Sequence, residues 1–227
     1  MTARRILAFD TSGPHCAASL FVSKNKWVWR KEEMARGQAE RLFPLLDEVL
    51  SEAELTWEDL DALAVGVGPG NFTGIRIAVS AARGLSLSLG IPAVGVDLFQ
   101  VRAYGYFNLP NAHDTALVCI NGPRESLYVQ LMGAGGAIAP PRQIDPKTSD
   151  LTAEEQGSVA IGPACSHLKN RLTVDTRNNS SARSMNRTIF IANSILESGG
   201  DIAPPAPLYV RPADAAPASD PPPVILS

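Results

Sequence analysis

The sequence predicts an α/β fold made of two unequal halves, and three patterns support this. Three apolar segments near the N-terminus follow one another as strands, at residues 5–12, 16–23 and 26–34. Helical and strand patterns then alternate over residues 39–107, and a second pair of strands begins within residues 115–133. Because a meander followed by alternating units places helices on the faces of a mixed sheet, we expect each half to be one such layered unit.

Apolar spacing and turn residues define the elements of the first half. A helix is predicted at 39–53, where apolar residues recur three and four positions apart. The segment LDALAVGVG (60–68) is almost entirely apolar and predicts a buried strand. The glycine-rich loop GVGPGNFTG (66–74) then leads into a second helix. A strand at 92–96 and a helix at 97–107 complete the half.

The second half begins the same order and stops short of a complete copy. Strands are predicted at 115–122, 126–133 and 158–164, and a helix at 185–199. This order is that of the ribonuclease-H-like half-domain, which the actin and sugar-kinase fold carries twice. We therefore predict an actin-like (ASKHA, ribonuclease-H-like) two-domain fold with a reduced second domain. The expected units are an N-terminal domain at 1–108, a smaller C-terminal domain at 109–203, and a proline-rich tail at 204–227 that is extended or disordered.

The composition excludes several function classes. A net charge of −3 leaves no electrostatic footprint for nucleic acid, so work on RNA is expected to proceed through a partner. The cysteines, Cys16, Cys119 and Cys165, lie far apart with no CxxC pair, which favours a reducing compartment. No apolar run approaches the roughly 18 residues that a membrane helix needs. We expect a soluble, cytoplasmic protein without a membrane segment.

The glycine-rich loop resembles a phosphate-binding loop but lacks its key residues. A P-loop ends in Gly-Lys-Ser/Thr, and this loop has no lysine. A dinucleotide fingerprint needs G-x-G-x-x-G, whereas Gly68, Gly70 and Gly74 are spaced with one residue too many. A tight strand-to-helix turn, in which glycines permit close packing, is the favoured interpretation. A weak anion site at the helix N-terminus is the alternative.

The first two helices carry more apolar surface than one sheet face can cover. The second helix has one charged stripe, Arg76 and Arg83, and is otherwise small and apolar. Either the chain's own core or another protein must cover the remainder, and we favour association because large exposed apolar patches mark interfaces. The first helix has two apolar stripes, Leu42, Leu45 and Val49 in one and Ala39, Phe43, Leu46 and Leu50 in the other.

Asp10, Thr11 and Ser12 end the first strand, where actin-like proteins keep an acidic residue for metal and phosphate. An ATPase would also need a matching phosphate loop in the second half. The corresponding segment, CINGPRES, has Asn121 in place of an acidic residue. Without a second carboxylate or a lysine, nucleotide turnover is difficult to build. We therefore regard residues 10–12 as a vestigial nucleotide site, in which Asp10 can also simply bond to the adjacent turn.

No other catalytic or metal set emerges from the spacing of reactive residues. The three histidines, His15, His113 and His167, are isolated and show no H-x-x-x-H or H-E-x-x-H pattern. The sequence also lacks a G-x-S-x-G nucleophile elbow. We predict no catalytic residues, no metal ligands and no cofactor.

Several segments of the chain resemble the TsaB (YeaZ) family. They are ILAFDTS near the N-terminus, ALAVGVGPGNFTGIRIAVSAARGLSLSLGIPAVGVDLF in the first half, and PAPLYVRPADA near the C-terminus. The GPGNFTGIRI portion is the most specific of them. The first 100 residues match the family well, residues 115–200 match loosely, and residues 207–211 match again.

The resemblance implies a two-domain actin-like fold without ATPase capacity. It implies a role in making threonylcarbamoyladenosine at position 37 of tRNA, with tRNA contacted only indirectly. The implied partner is a paralogue, TsaD, which binds the metal and transfers the threonylcarbamoyl group. An ATPase, TsaE, joins the pair, and the free chain forms homodimers.

The family's partner contact falls on the first two helices. Two departures from the family pattern lie at Gly37–Gln38, beside the first helix, and at Asn121–Arg124, near the interdomain cleft. The rival hypothesis is a small actin-like ATPase or kinase that uses Asp10 and the glycine-rich loop, and a peptidase is more distant. The contact residues carried over are Leu42, Phe43, Leu45, Leu46, Val49, Ile75, Arg76, Val79, Ala82 and Arg83.

Overall fold

A computed structural model describes residues 4–23, 26–177 and 184–210. Its first sheet has five strands in the order β3-β2-β1-β4-β5. The first three strands pair antiparallel, whereas β4 and β5 extend the sheet in parallel from β1. This is the predicted meander followed by alternating units. The strands are β1 (Ile6–Asp10), β2 (His15–Ser23), β3 (Lys26–Glu33), β4 (Ala62–Gly66) and β5 (Ala93–Val96).

The second sheet repeats the strand order of the first with shorter edges. Its order is β11-β10-β6-β7-β8, and β9 also pairs with β7. The antiparallel pair β6 and β7 corresponds to β1 and β2, and β10 and β11 add in parallel. The predicted actin-like fold with a reduced second half is confirmed. The strands are β6 (Thr115–Asn121), β7 (Leu127–Gly133), β8 (Gly136–Ala137), β9 (Arg142–Ile144), β10 (Val159–Ile161) and β11 (Val174–Asp175).

Two long helices cover one face of the first sheet. Strand residues such as Leu7, Phe9 and Leu63 meet the apolar residues of α1 and α2 in one buried cluster. The alternate strand residues, such as Ile6 and Ala8, face the other side. Both faces of the sheet are therefore buried at its central strands β1 and β4. The helices are α1 (Gln38–Ala53), α2 (Phe72–Leu89), α3 (Leu98–Phe107), α4 (Ala153–Gln156) and α5 (Ser184–Glu197).

Helix α5 lies on the first sheet, although the sequence order places it in the second domain at 109–203. Its Ile189 and Ala192 are buried against Ile6 and Ala8 of β1. The chain thus returns to the first half after completing the second sheet. Periodicity identified the helix, but a helical pattern carries no information about which sheet it covers. The remaining domain boundaries stay predictions.

Helix α3 packs between the two halves. Its Val101 joins the cluster under α5, whereas Phe99, Ala103 and Tyr106 pack against β6 and β10. One ten-residue helix therefore contributes to both cores. Within the described ranges, no helix is long and apolar enough to span a membrane.

The chain after α5 returns to the first half without forming a helix or strand. The backbone N–H of Leu208 donates to Val67 O at 2.8 Å, and Pro205 is buried beside Gly95. Leu208 contacts the core clusters of both halves. The proline-rich tail at 204–227 stays a prediction, since the structure describes only its residues 204–210, and residues 211–227 lie outside the described residues.

Candidate functional site

The glycine-rich loop is pressed directly against the end of β1. A Cβ atom on Gly74 would lie 1.9 Å from Thr11 O, and one on Gly70 would lie 2.3 Å from Ser12 O. The Thr11 hydroxyl donates to Gly74 O at 2.6 Å, and the Asn71 N–H donates to Ser12 O at 2.6 Å. Only glycine permits such a close approach between two backbones. The loop is therefore a packing turn, as the favoured interpretation predicted.

Two backbone N–H groups at the N-terminus of α2 are hydrogen-bonded within the chain. Asn71 Oδ1 accepts hydrogen bonds from the Thr73 N–H at 2.9 Å and from the Gly74 N–H at 3.1 Å. These are the donors that an anion at a helix N-terminus would use. The Asn71 cap already occupies these two donors, which favours the packing turn over the alternative of an anion site.

Asp10 lies in a cleft of about 580 Å³ between the two halves. Its Oδ1 accepts from the Ser12 N–H at 2.6 Å, and its Oδ2 lies 3.8 Å from His15 Nε2. Gly66 makes room for this carboxylate, since a Cβ there would be 2.5 Å from Asp10 Cγ. Burial raises the pKa of Asp10, but the imidazole of His15 and the hydrogen bonds from Ser12 outweigh it and hold the pKa below its ordinary value.

Of the three predicted vestigial residues, Asp10 and Ser12 line the cleft, whereas the side chain of Thr11 is turned into the protein. The Thr11 side chain is fully buried in its bond to α2, and Ser12 is almost fully buried. Across the cleft, the second half presents Asn121 rather than a carboxylate. Among the described residues, no group of three or more His, Cys, Asp or Glu side chains could hold a metal ion. The geometry suits a carboxylate that stabilises its own turn.

The ten carried-over contact residues divide into a buried and an exposed set. Phe43, Arg76 and Arg83 are exposed. The other seven lie in the core of the first half, so they cannot contact a partner, and this part of the expectation is wrong. Helix α1 packs against β2, β3 and α2, which buries its first apolar stripe and the Leu46 and Leu50 of its second, and leaves Ala39 and Phe43 exposed. The buried residues are Leu42, Leu45, Leu46, Val49, Ile75, Val79 and Ala82.

An apolar surface nevertheless remains on the outer face of the two helices. Leu87 is 87% exposed, and Phe43 and Phe72 are also exposed. At one end of α2, the Arg76 guanidinium lies 3.7 Å from the centre of the Phe72 ring, and its Nε donates to the Tyr209 hydroxyl at 2.9 Å. We call this set the helix surface. Its members are Phe43, Phe72, Arg76, Arg83, Leu87 and Tyr209.

The sequence predictions missed three members of the helix surface. Leu87 lies eleven residues after Arg76 and four after Arg83, so helical spacing alone places it on the charged stripe. Phe72 opens the helix, where periodicity is weakest. Tyr209 reaches the surface only because the C-terminal segment returns to α2, which no local pattern indicates.

Comparison with known families and relatives agrees with this description. The family model described as TsaD, tRNA N6-adenosine threonylcarbamoyltransferase, matches residues 31–162, which is more than half of the chain. The tRNA threonylcarbamoyladenosine biosynthesis protein TsaB of Escherichia coli K12 is 35% identical over 124 residues, covering 55% of this chain and 53% of the relative. TsaB of Haemophilus influenzae is 33% identical over 123 residues, covering 54% of this chain and 51% of the relative. The chain thus spans about half the length of the curated relatives it matches.

Solved structures give the same fold. YeaZ from Pseudomonas aeruginosa superposes with a TM-score of 0.70 at 21% identity, covering 91% of this chain and all (100%) of that chain. A protein with similarity to peptidase YEAZ, also from Pseudomonas aeruginosa, superposes with a TM-score of 0.71 at 22% identity, covering 92% of this chain and 100% of that chain. At this identity the likeness concerns the fold alone.

The contact between the loop and β1 predicts opposite outcomes at two glycines of α2. Gly74→Ala should lower the free energy of unfolding by about 1–3 kcal/mol, because its Cβ would collide with Thr11 O. Gly84→Ala is the matched control, since a Cβ there meets nothing within 4 Å. This second change should raise the free energy of unfolding by about 0.5–1 kcal/mol. Urea titration measures both free energies of unfolding. A Gly74→Ala variant that is as stable as Gly84→Ala would contradict the contact.

The lowered pKa of Asp10 predicts a pH-dependent contribution to stability. Its ionised form stabilises the fold above the unfolded-state pKa of about 3.9, and this stabilisation is lost as the pH falls through the lower folded-state pKa. The free energies of unfolding of the wild type and Asp10→Asn should therefore differ at pH 5 and converge under stronger acid. Urea titrations at several pH values measure this. A difference that stays constant down to the lowest pH would contradict the assignment.

Proposed function

This chain belongs to the family of TsaD, tRNA N6-adenosine threonylcarbamoyltransferase, as a relative of its TsaB (YeaZ) members, and we propose that it is a non-catalytic subunit that binds a TsaD-type transferase. In this role it supports the transferase in making threonylcarbamoyladenosine in tRNA. The helix surface is the docking site. The observation that carries the proposal is the exposed apolar face of α2, above all Leu87.

The composition of the helix surface supports a protein partner. It combines aromatic residues, an aliphatic residue and arginines, the types that dominate the energetics of protein interfaces. Arg76 is held in place by Phe72 and Tyr209, so little side-chain entropy is lost when a partner binds it. Small exposed residues near the arginines, Ser80 and Gly84, allow a facing helix to approach closely.

The free energy that burial of this surface can contribute is that of a specific, reversible complex. Burying a side chain such as Leu87 or Phe43 stabilises by roughly 1.5–3 kcal/mol. The loss of translational and rotational freedom offsets part of this sum. Arg76 and Arg83 add a positive edge that favours a partner with acidic residues around its own apolar patch.

The interior of the cleft supports a non-catalytic role. A nucleotide in an actin-like cleft needs free backbone donors and carboxylates that hold a metal. Here the N–H groups of Thr73 and Gly74 are bonded to Asn71, and the Asp10 carboxylate is bonded to the Ser12 N–H and lies beside His15. These commitments weigh against the ATPase or kinase hypothesis, and the absence of a metal-binding cluster among the described residues weighs against a peptidase.

The remaining partners follow from the transferase contact. A TsaE-type ATPase joins through the complex, and tRNA is held mainly by the transferase, in keeping with the net charge of −3 on this chain. The work takes place in the cytoplasm, where tRNA is available and where the three buried cysteines remain free thiols.

Charge placed on the helix surface should weaken partner binding without unfolding the chain. We expect Leu87→Lys to raise the Kd for the cognate TsaD-type transferase at least about tenfold. Binding would remove the charged lysine from water without giving it a partner. Trp29→Lys is the matched control, since Trp29 is also exposed but lies on β3. Calorimetric titration measures the Kd, and circular dichroism checks the fold.

Two results would contradict the proposal. One is wild-type chain that fails to bind the transferase at all. The other is a folded Leu87→Lys variant that binds as tightly as the wild type. Leu46→Glu and Val79→Glu are unsuitable for this test, because both positions are buried and a charge there would unfold the first half.

A further inference from the structure

The chain returns to helix α2 just before its described part ends. The Tyr209 ring stacks on the Phe72 ring at 5.0 Å between ring centres, and its hydroxyl accepts a hydrogen bond from Arg76 Nε at 2.9 Å. The backbone N–H of Leu208 also donates to the chain that leaves β4. The segment at residues 211–227 therefore starts beside the first turns of α2, at one end of the helix surface.

Helix α2 carries a positive charge that no residue of the helix itself balances. Its charged residues are Arg76 and Arg83, both exposed, and it contains no acidic residue. The outer face of α1 differs, because the exposed residues Glu40 and Asp47 lie three positions before and four positions after Phe43. A negatively charged segment on the helix surface would therefore follow α2 rather than α1.

The segment at residues 211–227 has the complementary composition. After Arg211 it contains two aspartates, Asp214 and Asp220, and no basic residue. Residues 224–226 then form an aliphatic run, Val-Ile-Leu. Three prolines directly before this run restrict the backbone, which lowers the conformational entropy that docking would cost. The segment thus combines acidic groups for the arginines of α2 with apolar groups for its exposed leucine.

The length of the segment and the order of its groups fit α2. Leu87 lies eleven residues after Arg76, which is about 16–17 Å along the helix axis. Residues 211–225 span up to about 50 Å when extended, so the aliphatic run can reach Leu87. Along the segment the aspartates come before the aliphatic run, and along α2 the arginines come before Leu87. Both sets of groups therefore meet if the segment runs from Tyr209 toward the C-terminal end of α2.

We propose that residues 214–226 lie along the exposed side of α2, with the aspartates beside the two arginines and the aliphatic run over Leu87. Because the segment and the helix belong to one chain, the effective concentration of the segment at α2 is on the order of millimolar. The segment then covers the apolar surface of the free chain. A transferase that binds the helix surface must displace it, so the segment raises the apparent Kd of the complex. This competition rests on the proposed function, whereas the docking itself does not.

Cysteine crosslinking in the full chain tests the docking. Gly84→Cys places a thiol three residues before Leu87 on the same face of α2, and Ser227→Cys places one directly after the aliphatic run. A short bismaleimide should join these two thiols within one chain, and the three native cysteines should not react because they are buried. Trp29→Cys combined with Ser227→Cys is the matched control, since Trp29 is exposed on β3. The yield should be at least about tenfold higher at position 84 than at position 29.

A charge reversal on α2 tests the electrostatic part of the docking. Arg83→Glu, added to the chain with Gly84→Cys and Ser227→Cys, should lower the crosslinking yield because the aspartates would then face a like charge. Three results would overturn the docking. They are equal yields at positions 84 and 29, a yield that Arg83→Glu leaves unchanged, and crosslinked dimers in place of crosslinked monomers.

Calorimetric titration with the cognate TsaD-type transferase tests the competition. Ile225→Asp combined with Leu226→Asp should lower the apparent Kd at least about threefold, because carboxylates do not pack on Leu87 and the segment releases the helix surface. Ile225→Val combined with Leu226→Ile keeps the run aliphatic and should leave the Kd unchanged. A doubly acidic variant that binds no more tightly than the wild type would overturn the competition. A chain that crosslinks at position 84 but binds no transferase contradicts the proposed function alone.

Discussion

The first half of this molecule depends on one steric constraint, the direct contact between the start of α2 and the end of β1. The backbone at Gly74 lies so close to Thr11 O that no side chain fits between them, and the Thr11 hydroxyl closes the contact with a hydrogen bond. This contact fixes the first turn of α2 over the sheet. It turns Ile75 and Val79 inward and leaves the opposite side of the helix, with Arg76 and Leu87, in solvent.

The same constraint explains why the sequence imitates a phosphate-binding loop. Glycines in such loops leave space for a ligand, whereas here they leave space for the chain's own backbone. In a phosphate-binding loop, the backbone N–H groups at the start of the helix donate to the phosphate. Here two of these N–H groups donate to the side-chain oxygen of Asn71. Asp10, which in a working nucleotide site would face metal, is bonded to Ser12 beside the same contact. The tight turn beside the cleft and the exposed outer side of α2 thus arise from one arrangement.

The sequence predicted the long elements and their order, because each contains enough residues to reveal its period. It missed β8, β9, α4 and β11, which have two to four residues each and show no period. It also left open which side of α1 faces the core. Periodicity shows that Phe43 and Leu46 share a stripe, but only the packing of α1 against β3 and α2 buries Leu46 and leaves Phe43 exposed.

Long-range packing determined the remaining differences. Helix α5 covers the first sheet because Ile189 and Ala192 fit against β1, a contact between residues more than 180 positions apart. Tyr209 completes the helix surface because Leu208 anchors the returning chain to Val67. Neither feature has a local signature, so both the placement of α5 and the full extent of the helix surface required the tertiary structure.

The central claim is that this chain acts by binding, with its cleft unused for chemistry. Reconstituted synthesis of threonylcarbamoyladenosine in tRNA by the cognate TsaD-type transferase tests it most directly, with the chain supplied as wild type or as Asp10→Ala. The account predicts that synthesis requires the chain and that Asp10→Ala supports it as well as the wild type does. Synthesis that proceeds equally without the chain, or that is lost with folded Asp10→Ala, would contradict it.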